Sequence, residues 1–312
     1  MDFNQFREEL EGIMLEKVMD MPGSVQFRTV QRNGGPKHGI VFTPDGSSIG
    51  VTLYAEDEFK RLQEGEPVHR IAEEMAAYSR GMEKGFNAEK LLVPENIFPA
   101  LVPTKGNEGL LEEVPHLPFE NLQVIFKFEF QNFRGGGTAN VPKSYMEAHG
   151  WDVQKLMEIA MNNPIYRNQI KITPLEYALS GSPDGADMGS LDNIKACDPP
   201  MLVVSNFSGV YGAAAVLNKD AMDRIANVFQ DDLYILPSSI HECMVVPKSM
   251  MPLKDLQEMV SEVNRVAVEP DVWLSDDVYQ YDSFTRELTM AGKERGRDTR
   301  QGQKPDVPEH KL

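Results

Sequence analysis

Two apolar runs, Leu233-Tyr234-Ile235-Leu236 and Cys243-Met244-Val245-Val246, flank a polar island, Pro237-Ser238-Ser239-Ile240-His241-Glu242. This is the pattern of a buried strand that carries a few polar side chains to a sheet edge or cleft. No other stretch concentrates so many chemically capable residues. Strand candidates elsewhere come as hairpins and not in regular strand-helix-strand alternation. The predicted fold class is therefore α+β, with mainly antiparallel sheets, packed helices, a smaller N-terminal unit and a larger C-terminal one.

Residues 1–82 read as the N-terminal α+β unit. Phe3, Phe6, Leu10, Ile13, Met14 and Val18 recur at steps of three and four, the stripe of an amphipathic helix that ends near Met21-Pro22-Gly23. Strands follow over Ser24–Gln31, His38–Phe42 and Ile49–Tyr54, broken by Asn33-Gly34-Gly35-Pro36 and by a turn at Pro44-Asp45-Gly46. Two helices complete the unit, the second entered through Pro67. Residues 83–118, with prolines at 94, 99, 103, 115 and 118, read as an irregular connection.

Residues 119–285 read as the C-terminal α+β domain. It opens with a dense strand, Leu122–Phe130, whose tail alternates aromatic and charged residues. Asp152 and Asn218 are helix caps by type and position. Met201–Asn206 and Val210–Val216 read as two strands of a hairpin around Ser208-Gly209. From Arg286 to Leu312 the composition turns charged and polar, and this segment reads as a disordered tail.

At 41% hydrophobic residues the 312-residue chain has material for a sizeable core. No apolar run approaches the ~18 residues that span a bilayer, and the acidic first residues lack a signal-peptide pattern. The expected compartment is the cytoplasm, with no membrane partner. The net charge of −17 repels phosphate backbones, so no direct nucleic-acid binding is expected. An acidic surface that mimics nucleic acid is the converse reading. Cys197 and Cys243 are too few for a disulfide framework or a four-cysteine zinc site and read as reduced, buried thiols.

Ser239, His241 and Glu242 are the candidate catalytic residues. In an extended segment Ser239 and His241 share one face and Glu242 the other. A nucleophile and a base side by side suit hydrolysis, with a carboxylate to orient the imidazole. The strained Gly-x-Ser-x-Gly elbow is absent, however, and Pro237 favours a turn. The structural reading makes the same residues a polar staple, with serines bonding nearby backbone and the His-Glu pair satisfying buried groups. His241, Glu242 and Cys243 are consecutive and do not easily converge on one ion, and no second His or Cys has ligand spacing, so no metal is expected. Gly135-Gly136-Gly137 lacks the strand-loop-helix context of a phosphate loop, and Asp184-Gly185-Ala186-Asp187 lacks calcium-hand spacing, so no cofactor is expected.

Four strings in order, Met201–Asn206 with Gly209–Ala213, Leu233–Glu242, Met259–Asn264 and Leu274–Tyr279, resemble a bacterial family known only as a domain of unknown function, found in anaerobic gut bacteria and their mobile elements. Val51–Tyr54 followed by two short helices extends the resemblance through the first half, to about residue 285. The resemblance implies no activity, cofactor or catalytic residues. The expected function is a non-catalytic binding or interaction module with a protein partner; the alternative is a hydrolase-like enzyme using the Ser239/His241 region with a carboxylate.

Overall fold

Every strand pairing among the described residues is antiparallel, and the fold is α+β. The computed structural model describes residues 1–19, 23–43, 45, 50–83, 91–130, 137–180 and 199–293. Met21 and Pro22, Pro44 and Gly46, Gly135 and Gly136, the polar run from 181 to 192, Cys197 and everything beyond Lys293 lie outside those residues.

The first sheet is a meander of β1 (Ser24–Arg32), β2 (Gly35–Thr43) and β3 (Val51–Tyr54). The helix Phe3–Val18 starts where the Asp2 side chain accepts from the Gln5 N–H at 3.0 Å, in a capping box. Its Phe6, Leu10 and Met14 pack with Ile71 and Met75 of the helix Val68–Glu83 and with Ile40 of β2. Asn33 and Gly34 close β1 onto β2, with Gly34 at φ 81°. That tip is fixed to the rest of the chain. The Asn33 amide donates to the carbonyls of Asp271 (2.9 Å) and Trp273 (3.2 Å), and the Asn107 amide donates to the Asn33 side-chain oxygen (3.1 Å).

The second sheet centres on β6 (Leu122–Phe130), flanked on one side by β4 (Ile97–Pro103) and on the other by β5 (His116–Phe119) and β7 (Gly137–Asn140). The segment 83–118 is thus no irregular connection throughout, since β4 pairs with β6 from Ile97↔Phe128 to Pro103↔Leu122. Proline fits there because β4 is an edge strand. Pro99 and Pro103 have the same parity, so the missing N–H groups both face away from β6.

The third sheet has the order β13-β12-β10-β11-β9-β8. Its strands are β8 (Ile170–Pro174), β9 (Leu202–Asn206), β10 (Leu233–Leu236), β11 (Cys243–Pro247), β12 (Tyr279–Asp282) and β13 (Glu287–Met290). One continuous core joins the second and third sheets, with Phe126 and Phe128 of β6 in the same cluster as Val204, Ile235 and Val245. Two sequence expectations fail in this region. The tail read as disordered from Arg286 contains β13, which pairs with β12 over four residues. Val210–Val216 is no strand: Gly209 and Tyr211 both take positive φ, 66° and 55°, and a buried 3-10 helix follows over Gly212–Leu217. Two left-handed residues within three positions cannot continue an extended strand. The caps at Asp152 and Asn218 form as expected, accepting from Lys155 N–H (2.7 Å) and Ala221 N–H (2.9 Å). No helix of the described residues is long and apolar enough to cross a membrane.

Candidate functional site

The polar island is the loop between the hairpin strands β10 and β11, and its main chain is zipped onto residues 272–275. Ile240 N–H donates to Val272 O (2.8 Å), Leu274 N–H to Ser238 O (3.1 Å) and Ser275 N–H to Pro237 O (3.0 Å). Ser239 forms an isolated bridge with Trp273, so the extended geometry expected for Ser238–Glu242 shrinks to one residue. The Ser239 hydroxyl accepts from the His241 N–H at 3.0 Å, a local side-chain-to-backbone turn. Glu242 is exposed. Among the described residues no hydrogen bond or ion pair joins the Ser239 side chain or the Glu242 carboxylate to the His241 ring.

His241 is half-buried and works at both ends. Its carbonyl accepts from the Ser205 hydroxyl at 2.7 Å, and its Nδ1 accepts from the Tyr211 N–H at 3.2 Å. Burial, with Arg32 adding to it and Asp271 opposing, holds the imidazole below its ordinary 6.5. Cys243, free and buried, points at Ala213 O (3.6 Å), and burial pushes its thiol far up. Gly212 sits where β9 and this loop meet: a Cβ there would lie 2.6 Å from both Asn206 N and His241 O.

The same turn carries Tyr211, on which charged groups from two other sheets converge. Lys127 of β6 places its Nζ 4.0 Å from the Tyr211 ring centroid and donates to Asn140 Oδ1 of β7 at 2.6 Å. Arg32, at the end of β1, donates to the Tyr54 hydroxyl (3.0 Å) with its guanidinium 4.6 Å from that ring's centroid. Burial alone would raise the Tyr211 phenol, but Lys127 and then Arg32 outweigh it and hold the group below its ordinary 10. Burial likewise lowers the Lys127 ammonium, against the pull of Tyr211. Farther out, Lys37 bridges Asp271 (2.8 Å) and Asp57 (3.3 Å).

Beside Tyr211 opens a narrow cleft lined by Phe98, Glu129, Tyr166, Gln169, Asn206 and Gly212, with a cavity volume of about 10 Å³. Glu129 follows Lys127 by two positions on β6 and so leaves the strand on the same face. The residue as a whole is 8% exposed. A strained backbone at Tyr211 and a buried lysine against its ring, beside a cleft that Glu129 helps to line, make this junction the functional-site candidate. No group of three or more metal-ligating side chains occurs among the described residues.

Sequence reasoning placed attention on the neighbouring loop and missed Lys127, Glu129, Tyr211 and Arg32. One signal was present: two charges set among Phe126, Phe128 and Phe130 in a strand too apolar to be solvated. No curated protein and no solved structure matches the chain. Over residues 3–283 the sequence matches the model of a family of unknown function (DUF5688), and the chain belongs to that family.

Proposed function

We propose that the protein is a non-catalytic binding or interaction module whose recognition site is the cleft between β6 and the Tyr211 turn. The Tyr211 turn carries this reading. It holds a non-glycine residue at φ 55° with the Lys127 ammonium 4.0 Å from its ring centroid, and strained backbone of this kind clusters at ligand sites. The cleft beside it follows the manner of pockets that place a few polar groups among apolar walls. Phe98 and Tyr166 supply those walls. A hydrolase built on Ser239, His241 and Glu242 would need the serine hydroxyl on the imidazole, whereas that hydroxyl accepts from a main-chain N–H.

The test pairs a substrate panel with a ligand screen. Ester, peptide and phosphate-ester substrates are expected to show no turnover above buffer. Ligands that raise the melting temperature are expected to perturb the backbone resonances of Asn206, Tyr211 and Gly212. Turnover that disappears in Ser239→Ala would sink the non-catalytic reading, and ligands that all map elsewhere would sink the site.

A further inference from the structure

We infer that the groove at the start of the helix Lys219–Phe229 binds the oxyanion group of a small molecule, a phosphate or a carboxylate, through Arg167 and Asn218. The groove shares no lining residue with the cleft beside Tyr211, so the inference stands apart from the binding reading above.

Chain order builds the groove. Pro164 opens the short helix Pro164–Arg167 soon after the helix Val153–Asn162 ends, and the buried Tyr166 hydroxyl donates to Ala214 O at 2.9 Å. Ala214 belongs to the 3-10 helix Gly212–Leu217, which runs straight into Asn218. That anchor sets Arg167, the residue after Tyr166, against the first turn of Lys219–Phe229, with its guanidinium 3.9 Å from Asp220 Oδ2. Between the two segments lies a cavity of about 310 Å³, lined by Pro164, Arg167, Asn168, Asn218, Asp220 and Arg224. Its volume is that of a small-molecule pocket, and its lining is polar.

Asn218 points to a ligand. It is nine-tenths buried, and its Oδ1 accepts the Ala221 N–H at 2.9 Å as the helix cap. Its Nδ2 has no acceptor among the described residues, yet that nitrogen is not sealed inside the protein. The groove is the space that Asn218 lines, so the amide stands there as an unused donor. In the same first turn the N–H groups of Lys219 and Asp220 make no hydrogen bond among the described residues. Such donors at a helix start favour an anion, and the helix dipole adds to the attraction.

Charge agrees with that sign. One carboxylate, Asp220, lines the groove, and Arg286 already engages it at 2.9 Å. The Arg167 contact with Asp220 is too long for a hydrogen bond. It leaves the donors of a planar fork for an oxyanion, which that fork matches two bonds at a time. Arg224 adds a second guanidinium to the lining. The net charge of −17 opposes an anion at long range, so these short-range donors have to supply the hold.

The experiment is an NMR titration of the whole chain with inorganic phosphate, glycerol phosphate, succinate and neutral succinamide at matched ionic strength. The three anions are expected to perturb the backbone resonances of Asn168, Asn218 and Asp220, and succinamide to leave them unchanged. Tighter binding of glycerol phosphate than of succinate assigns an organic phosphate, and the reverse order assigns a carboxylate. Arg167→Gln removes a half-exposed guanidinium and should weaken binding about tenfold. Asn218→Asp keeps the cap oxygen and turns the donor into a negative charge, so it should melt with the wild type while binding weakens about as much. Asp220→Asn removes the one carboxylate of the lining and should tighten binding a few-fold.

A response to succinamide equal to that of succinate would overturn the oxyanion assignment. Wild-type affinity in both Arg167→Gln and a folded Asn218→Asp would overturn it too. Silence of the groove toward all four probes would remove the site and leave the Tyr211 cleft to its own ligand screen. If Asn218→Asp fails to fold, the opposite effects expected of Arg167→Gln and Asp220→Asn still decide, and effects of the same sign would refute the inference.

Discussion

The main-chain N–H of Tyr211 donates to Nδ1 of His241 at 3.2 Å. Because Nδ1 accepts, the hydrogen-bond network assigns the neutral ring's proton to Nε2. The bond also ties the turn after β9 to the loop before β11, and the Ser205 hydroxyl on the His241 carbonyl ties the same two segments a second time. The histidine thus holds in place the strained turn that presents Tyr211.

The burial of that ring makes its contribution to stability depend on pH in a definite direction. Burial keeps the folded imidazole below 6.5, so between the depressed folded value and 6.5 the unfolded chain binds the proton more readily. Stability must therefore rise with pH across that window and fall as acid is added. His241→Asn places an amide oxygen where Nδ1 accepts and cannot titrate. Urea melts at steps below pH 6.5 should show a smaller acid-side loss in the variant, and equal slopes in the two proteins would refute the assignment.

Gly212→Ala tests how tightly the two segments close. The added methyl would lie 2.6 Å from Asn206 N and His241 O, both backbone atoms, and closer still to the Ser205 hydroxyl. The Ser205 hydroxyl and the His241 carbonyl cannot move apart without breaking the bond between them. A loss of about 3 kcal/mol is expected in chemical denaturation, toward the upper end of overpacking costs. A loss under about 1 kcal/mol would mean that the turn is pliant.

Ser239→Ala and Glu242→Ala should behave unlike each other, although the sequence groups them. The Ser239 hydroxyl holds the His241 N–H inside the loop, and losing it should cost about 1 kcal/mol. Glu242 is exposed, and its substitution should stay within about 0.5 kcal/mol. Thermal melts of the two variants decide. Equal large losses would restore the idea of a buried His-Glu staple.

What could be read from sequence was what depends on neighbours along the chain. Asp152 and Asn218 cap helices because an N-cap needs only an oxygen three residues before an N–H, and the β1–β2 pairing follows from alternation and a glycine turn. β4 was hidden because proline at 99 and 103 argues against a strand unless the strand is known to be an edge, which is a tertiary fact. The site was hidden for the same kind of reason. Lys127 and Arg32 lie on different sheets and Tyr211 in the turn after β9 of the third, and nothing in their local sequence says that Asn33 and Asn107 bring these elements together. Ser239 and His241, two positions apart in sequence, drew attention that their geometry does not sustain.

The end of the chain gives the last test. Composition from Arg286 onward suggests a tail that contributes nothing, yet Arg286 pairs with Asp223 (2.7 Å) and Asp220 (2.9 Å) on the helix Lys219–Phe229. Tyr281 donates to the same Asp223 at 2.6 Å. β13 then covers β12, and Ala291 is buried against Val278 and Leu256. A chain ending at Thr285 loses a strand's ladder, a buried contact and the ion pairs of Arg286 and of Lys293 with Glu120, and it leaves Tyr279 and Tyr281 on an open edge. Compared with a chain ending at Lys293, it should be less stable by about 3 kcal/mol in urea, and the amides of β12 should exchange faster with solvent. Indistinguishable melts would return Glu287–Met290 to the role of a dispensable tail.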